Sequence, residues 1–349
     1  MSGPRLGFVG AGWIGRHRME SVCGVGGARG TATAAAIAEP DPALLAAALA
    51  SAPGARACRG LDELLEWAPE LDGVVIATPS ALHAEQSLQA LAAGLPVFCQ
   101  KPLGRNAVET REVVEAARRA DLRLGVDFSY RFLAGARRIR ELVAAGELGK
   151  VYAARLVFHN AYGPDKDWFY DPARSGGGCV IDLGIHLIDL LLWTLGDPAV
   201  TAVTSRCFAQ GRPLRDPARE VEDYAVARLD LDTGASAEIA CSWKLPAGQD
   251  AVIVASFYGT GGGAELRNVD GSFYDFVAER FRGTARETLA VPPEAWGGRA
   301  LEQWARRLAG DHGFDPRFDR EIESAVRVAE VVDRMYGRDR RRSRQEEAA

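Results

Sequence analysis

Two ionisable residues on an oily stretch carry the first recognisable chemistry in this chain. In Ser175-Gly176-Gly177-Gly178-Cys179-Val180-Ile181-Asp182-Leu183-Gly184-Ile185-His186-Leu187, Asp182 and His186 stand four residues apart, which is one face of a helix. Their neighbours are apolar, and charge buried among such residues needs compensation. A carboxylate beside an imidazole can orient it and support its protonated form. His186 is therefore a candidate proton acceptor when a hydroxyl becomes a carbonyl. Gly184 is expected to leave room for a flat ring, and Gly176-Gly177-Gly178 to bring the backbone close to a ligand. The plainer alternative is a satisfied core histidine, which the nearby Asp182 and the glycine run disfavour. No metal site is expected. The five histidines (His17, His83, His159, His186, His312) form no H-x-x-x-H pair and no cluster with thiols.

A second constellation opens the chain. Leu6-Gly7-Phe8-Val9-Gly10-Ala11-Gly12-Trp13-Ile14-Gly15 reads as strand, G-x-G-x-x-G, helix. Gly10 permits the tight turn, Gly12 lets a pyrophosphate approach the backbone, and Gly15 lets the helix pack on the sheet. The helix N-terminus offers free N–H groups to phosphates. Glu39, 24 residues past Gly15, falls where an acidic side chain would bind the adenine ribose hydroxyls. A carboxylate there repels a 2′-phosphate, so NAD is favoured over NADP. Otherwise Glu39 is a surface carboxylate, and Asp41 caps the next helix. Thr78-Pro79 ends a further strand at the crevice where a dinucleotide lies. Thr78 and His83 either contact the cofactor or simply start a helix. Lys101-Pro102 ends another strand. An ammonium enclosed there loses hydration and can polarise a carbonyl or alkoxide, or exchange a proton. A lone lysine at a strand end is more commonly just solvated.

These residues need a scaffold. At 349 residues the chain has room for two domains. Its net charge of -5 and 47% hydrophobic content are ordinary for a globular protein. That excludes a disordered chain and disfavours a nucleic-acid binder. No apolar run of membrane-spanning length is read, and six cysteines without a C-x-x-C pair suggest buried thiols, not a disulfide scaffold. No signal peptide is read at the start, so a cytoplasmic protein is expected. Residues 1–128 alternate apolar strands (6–9, 31–38, 73–77, 96–99, 123–126) with helices (13–22, 42–50, 81–93, 107–120). This rhythm predicts a doubly wound parallel sheet. Residues 129–337 read as successive strands (151–158, 199–208, 224–231, 235–243, 251–258, 264–269), interrupted by one apolar helix (180–195) and closed by another (320–335). This predicts a large, mostly antiparallel sheet. The charged run 338–349 reads as a frayed tail.

In order along the chain, Gly10-Ala11-Gly12-Trp13-Ile14-Gly15, Ala77-Thr78-Pro79 with His83, Lys101-Pro102, and Gly176-Gly177-Gly178 with Asp182-Leu183-Gly184-Ile185-His186 resemble the Gfo/Idh/MocA family. Tyr130-Arg131-Phe132 and Gly146-Glu147-Leu148-Gly149-Lys150-Val151 resemble that family's passage into its second domain. The resemblance implies a Rossmann domain followed by an α/β domain on a large open sheet, which also makes homodimers or homotetramers. It implies that Lys101, Asp182 and His186 surround the reacting carbon beside the nicotinamide. Trp13, Ile14, Pro79, Gln100 and Arg131 join the expected cofactor-binding set. The activity it implies is a dehydrogenase acting on a secondary alcohol of a sugar, cyclitol or polyol. His159, Asn160, Tyr162, Trp168 and Trp243 are candidate substrate contacts or ordinary packing and loop residues. The alternatives are a redox-neutral sugar-modifying enzyme that oxidises its substrate transiently, and a non-catalytic dinucleotide or sugar sensor. One departure stands out: the family's usual Glu-Lys-Pro is Gln100-Lys101-Pro102 here. The lost charge suggests a lower lysine pKa than the family's.

Overall fold

The computed structural model describes residues 3–24, 30–310 and 313–338. The tail from residue 339, His312 and most of the glycine cluster Gly24–Gly30 lie outside the described residues. The chain forms two compact units. One comprises Met1–Gly104, Val108–Ser129 and Trp296–Val326; the other comprises Arg105–Ala107, Tyr130–Ala295 and Arg327–Ala349. Residues 296–326, which the sequence reading assigned to the second domain, thus pack in the first unit.

The first unit holds six strands: β1 (Arg5–Val9), β2 (Thr33–Ala38), β3 (Arg56–Cys58), β4 (Gly73–Ile76), β5 (Val97–Cys99) and β6 (Leu124–Val126). Every pairing is parallel, in the order β3-β2-β1-β4-β5-β6. The strand order reverses between β1 and β4, the place where such sheets bind ligands beyond their strand ends. The central strands are apolar throughout because no face of them meets water: all four residues of β4 are buried. Asp41 caps the helix Pro42–Ser51, accepting from the N–H groups of Ala43 and Leu44 at 2.8 and 3.1 Å. The returning helix Arg299–Ala309 sets Trp304 under the sheet. A Cβ on Gly73 or Gly125 would come within 2.7 Å of that indole, so both strand glycines are vacancies cut for one side chain.

The second unit is built on nine strands: β7 (Val151–Asn160), β8 (Val200–Ala209), β9 (Arg212–Pro213), β10 (Tyr224–Leu231), β11 (Ser236–Ser242), β12 (Ala251–Gly259), β13 (Gly262–Asn268), β14 (Phe276–Arg282) and β15 (Ala285–Ala290). Their order is β15-β14-β13-β12-β7-β11-β10-β8-β9. Only the pair β7–β11 is parallel. Along β10, Ala225, Ala227 and Leu229 are buried while Val226 and Arg228 are exposed, so one face makes the core and the other stays open. The strands β14 and β15, unread in the sequence, carry charges between their apolar residues.

The predicted helix 180–195 is not uniform. Val180–Gly184 winds as a π-helical turn and continues as the α-helix Ile185–Thr194. By length and hydropathy the run Pro172–Thr194 could cross a membrane, contrary to the sequence reading, but it is 89% buried and serves as a core helix.

Candidate active site

Each unit carries its own cluster of polar groups. In the first, the turn after β1 has the geometry its glycines predict. Gly10 sits at φ +86°, and a Cβ there would lie 2.7 Å from the Ala77 carbonyl oxygen. A Cβ on Gly15 would lie 2.1 Å from the Gly10 carbonyl oxygen, so this glycine lets the helix Trp13–Cys23 close onto the turn. Gly12 differs: a Cβ there would meet nothing within 4 Å. The backbone at Gly12 is open, and no side chain caps the helix it begins, so its end suits an anionic ligand. Trp13 is exposed and stacks on His17 at 5.7 Å, while Ile14 is half-buried.

Glu39 ends beside this turn. Its Oε2 accepts the Ala11 N–H at 2.7 Å and its Oε1 accepts the Asp41 N–H at 3.0 Å, in a buried setting. The carboxylate is therefore held in place at the end of β2 and is not a loose surface charge. These residues fit the adenosine and pyrophosphate portions of a dinucleotide: an open backbone for phosphate, and a fixed acceptor for ribose hydroxyls.

The turns after β4 and β5 are tied together by His83. Its Nδ1 lies 2.6 Å from the Pro102 carbonyl oxygen and its Nε2 lies 2.7 Å from that of Thr78. Burial holds its pKa below the usual 6.5, against the pull of the two carbonyls. Both ring nitrogens are thus used to hold the backbone next to Lys101. Thr78 donates its hydroxyl to Gln86 Oε1 at 2.6 Å, and Pro79 begins the helix Ser80–Ala92. Lys101 precedes a cis peptide to Pro102 and is half-buried. Gln100 is buried and donates its amide to Asp127 Oδ2 at 2.5 Å; the same oxygen accepts from Arg18 Nε at 2.6 Å. Asp127 and Arg18 escaped the sequence reading. The only signal for them was the unusual Gln100, which begged a partner.

In the second unit, Asp182 lies in the π-helical turn, and its Oδ2 accepts the indole N–H of Trp243 at 3.0 Å. His186 opens the following α-helix and packs against Tyr130, ring centroids 5.0 Å apart. Burial and the nearby Asp182 push the Tyr130 hydroxyl well above its usual pKa. Extra backbone in a π turn recurs at functional sites, and here it falls on the segment bearing Asp182.

Glu222 braces the start of this segment. It is wholly buried, and its Oε1 accepts from Val180 N–H at 2.8 Å, Gly178 N–H at 3.1 Å and Tyr336 Oη at 2.7 Å. Burial raises its pKa, opposed by those donors. The glycine run serves this packing and not a ligand, which corrects the sequence expectation. A Cβ on Gly176 would meet the Arg105 backbone at 2.8 Å, on Gly177 the Tyr336 hydroxyl at 2.1 Å, and on Gly178 the Glu222 carbonyl oxygen at 1.9 Å. Gly184 likewise faces Cys241 Sγ, 3.2 Å from where its Cβ would be, and leaves no slot for a flat ring.

Among the remaining predicted residues, Arg131 makes a buried, forked ion pair with Asp189, with Nε 2.9 and 3.0 Å from its two oxygens. His159 Nδ1 lies 2.8 Å from Ser242 Oγ, and the ring stacks on Tyr224. Asn160 accepts the Tyr162 N–H at 2.7 Å, an Asx turn, while the exposed Tyr162 donates its hydroxyl to Asp250 at 2.6 Å. Trp168 stacks on Phe169 at 3.8 Å. Trp243, buried, is the one of the five candidate substrate contacts seen to hold Asp182, and it is edged by Phe169 and Tyr170.

Comparison with known proteins agrees with this architecture. Residues 4–128 match the family model described as oxidoreductase family, NAD-binding Rossmann fold, and residues 136–265 match the GFO/IDH/MocA C-terminal domain. A 1,5-anhydro-D-fructose reductase of Ensifer adhaerens is 35% identical over 173 residues, 49% of this chain and 50% of that protein. The chain thus spans about half the length of some curated relatives it matches. The rhizopine catabolism protein MocA of Rhizobium meliloti is 31% identical over 265 residues, 75% of this chain and 78% of its own length. Among solved structures, GenD2 from gentamicin A biosynthesis, in complex with NAD, superposes with a TM-score of 0.77 at 26% identity, covering 97% of this chain and 95% of that one. A levoglucosan dehydrogenase with NADH and L-sorbose shares the fold, with a TM-score of 0.80 at 19% identity over 97% of this chain and 98% of that one. With both halves matched in order by one family's models, and with MocA similar over most of its length, the chain belongs to the Gfo/Idh/MocA oxidoreductase family.

Proposed function

We propose that the chain is an NAD-dependent dehydrogenase acting on a secondary alcohol of a sugar, cyclitol or related polyol, and on the matching ketone in reverse. The observation that carries this reading is the cradle after β1: an open Gly12 beside a buried Glu39 whose carboxylate is anchored to the Ala11 N–H. It favours NAD, because a 2′-phosphate would meet a fixed negative charge. Bound NAD supplies the hydride acceptor. His186 takes the hydroxyl proton. Asp182, held by the Trp243 indole, supports the charge that the imidazole gains. Lys101 stabilises the developing carbonyl oxygen by hydrogen bonding. Trp243 acts through Asp182, and Tyr130 lines the imidazole. His159, Asn160, Tyr162 and Trp168 remain proposed substrate contacts, and Arg131 is placed with the cofactor set through its stiff pair with Asp189.

The relatives support a carbohydrate substrate by their names: a D-glucoside 3-dehydrogenase of Escherichia coli and an inositol 2-dehydrogenase of Leifsonia xyli among them. The exposed residues of the nine-stranded sheet, including Tyr152, Val226 and Tyr258, support assembly into homodimers or homotetramers through that face. A cytoplasmic location fits a nicotinamide enzyme of this kind.

The test is turnover with NAD across a panel of polyols and sugars, followed as NADH absorbance. A rise with at least one polyol is expected, and His186→Ala should lower kcat by about 10²–10⁴-fold. Intact turnover in that variant would overturn the base assignment. Tighter binding of NADP than NAD would overturn the reading of Glu39. Release of a sugar without net NADH would favour the redox-neutral alternative.

A further inference from the structure

The departure from the family at Gln100 has a structural counterpart one strand away. Gln100 follows β5 and Asp127 follows β6, and the two strands pair in parallel. The Asp127 N–H donates to the Cys99 carbonyl at 3.0 Å, which brings the two positions side by side. Both side chains are buried. A glutamate at position 100 would put a second carboxylate against Asp127, with Arg18 as the cation bonded to that cluster. Two carboxylates in such contact cannot both stay ionised at ordinary cost. Glutamine removes the conflict by turning an acceptor into a donor. Asp127 Oδ1 is also buried and receives no hydrogen bond, which leaves an acceptor for a further donor in this unit.

We propose that Asp127 is a positioning residue for Lys101, supplying from the end of β6 the negative charge that a glutamate at position 100 would otherwise supply. The charge is moved, not lost, so the earlier expectation of a less basic lysine is withdrawn. The pair has a polarity that can be reversed: carboxylate at 127 with amide at 100, or carboxylate at 100 with amide at 127. Around this turn the charged and titratable groups are His17 and Arg18 on the helix Trp13–Cys23, His83 on the helix Ser80–Ala92, Cys99 on β5 and Asp127 itself. The inference rests on the reading of Lys101 as a group that acts on the substrate oxygen.

The test needs no substrate. The chain has four lysines, Lys101, Lys150, Lys166 and Lys244, so acetic anhydride labelling at stepped pH, read by peptide mass spectrometry, reports the titration of each. In the full-length protein, Asp127→Asn should move the Lys101 midpoint down by about one pH unit, the effect of a single charge at close range in a protein. The double variant Gln100→Glu/Asp127→Asn should return it to the parent value, with the other three lysines unmoved throughout. Thermal unfolding gives a second arm: Gln100→Glu alone should lower the midpoint, and adding Asp127→Asn should recover it. An unmoved Lys101 in Asp127→Asn, or a double variant no nearer the parent than Asp127→Asn, overturns the proposal. Should Asp127→Asn not fold, Gln100→Glu must raise the Lys101 midpoint, and a failure to do so overturns it equally. Coupled titration without turnover on the polyol panel would fault the proposed function and leave this inference standing.

Discussion

The two glycine clusters look alike in the sequence and do opposite things in the structure. At Gly10-Ala11-Gly12, two of the three motif glycines fit the protein to itself, and the third, Gly12, faces open space. At Gly176-Gly177-Gly178, all three fit the protein to itself, against Arg105, Tyr336 and Glu222. A missing side chain marks a ligand only where nothing else fills the gap. The first cluster is a seat for phosphate; the second is the socket of a brace that holds the Asp182-bearing turn.

The contrast can be broken most forcefully at Gly178. Alanine there drives a Cβ into the Glu222 backbone carbonyl, which cannot swing away, and stability should fall by about 3 kcal/mol or more. Chemical denaturation measures it, and an unchanged midpoint would refute the brace. Gly12→Ala should do the reverse. Its backbone, φ -58° and ψ -177°, suits any residue, so stability should stay within about 0.5 kcal/mol. NAD affinity, by titration calorimetry, should fall about tenfold, or ~1.4 kcal/mol. A loss of stability instead would erase the distinction between the clusters.

The smallest effects are in pH dependence, where the two regions should run in opposite directions. Glu222 has a folded pKa raised above its unfolded value. Its contribution is complete below about pH 4.5 and is lost as pH rises through the folded pKa. His83 has a folded pKa lowered below its unfolded value. Its contribution is complete above about pH 6.5 and is lost as pH falls through the folded pKa. Glu222→Gln should flatten the first slope and His83→Gln the second, each read from thermal midpoints across pH. Slopes that persist in the variants would show that other groups carry them.

Much of this was legible because it is local. The G-x-G-x-x-G turn, the Asp41 cap and the alternation along β10 each follow from residues near one another in the chain. What escaped reading depends on distant partners. Nothing beside Val180–Gly184 signals a π turn, since its winding is fixed by Glu222 and Trp243, forty or more residues away. The glycines 176–178 announce a close approach but not what approaches. The amphipathic helices Ala134–Ala144 and Arg299–Ala309 were legible by their period and were passed over. The return of the second to the first unit was not, although Gly73 and Gly125 marked the places where Trp304 would fit.

That return has a bearing on how the molecule is made. The sheet β1–β6 is complete once residue 126 has been synthesised, yet the tryptophan that fills the space over Gly73 and Gly125 emerges from the ribosome only some 170 residues later. Until then the nascent first unit carries an unfilled apolar notch, while the whole nine-stranded sheet is being synthesised. Vectorial synthesis therefore favours an order in which the second unit settles before the first is sealed. For the same reason, the two units are not cassettes that can be recombined at a single junction; an exchange of the first unit has to carry residues 296–326 with it.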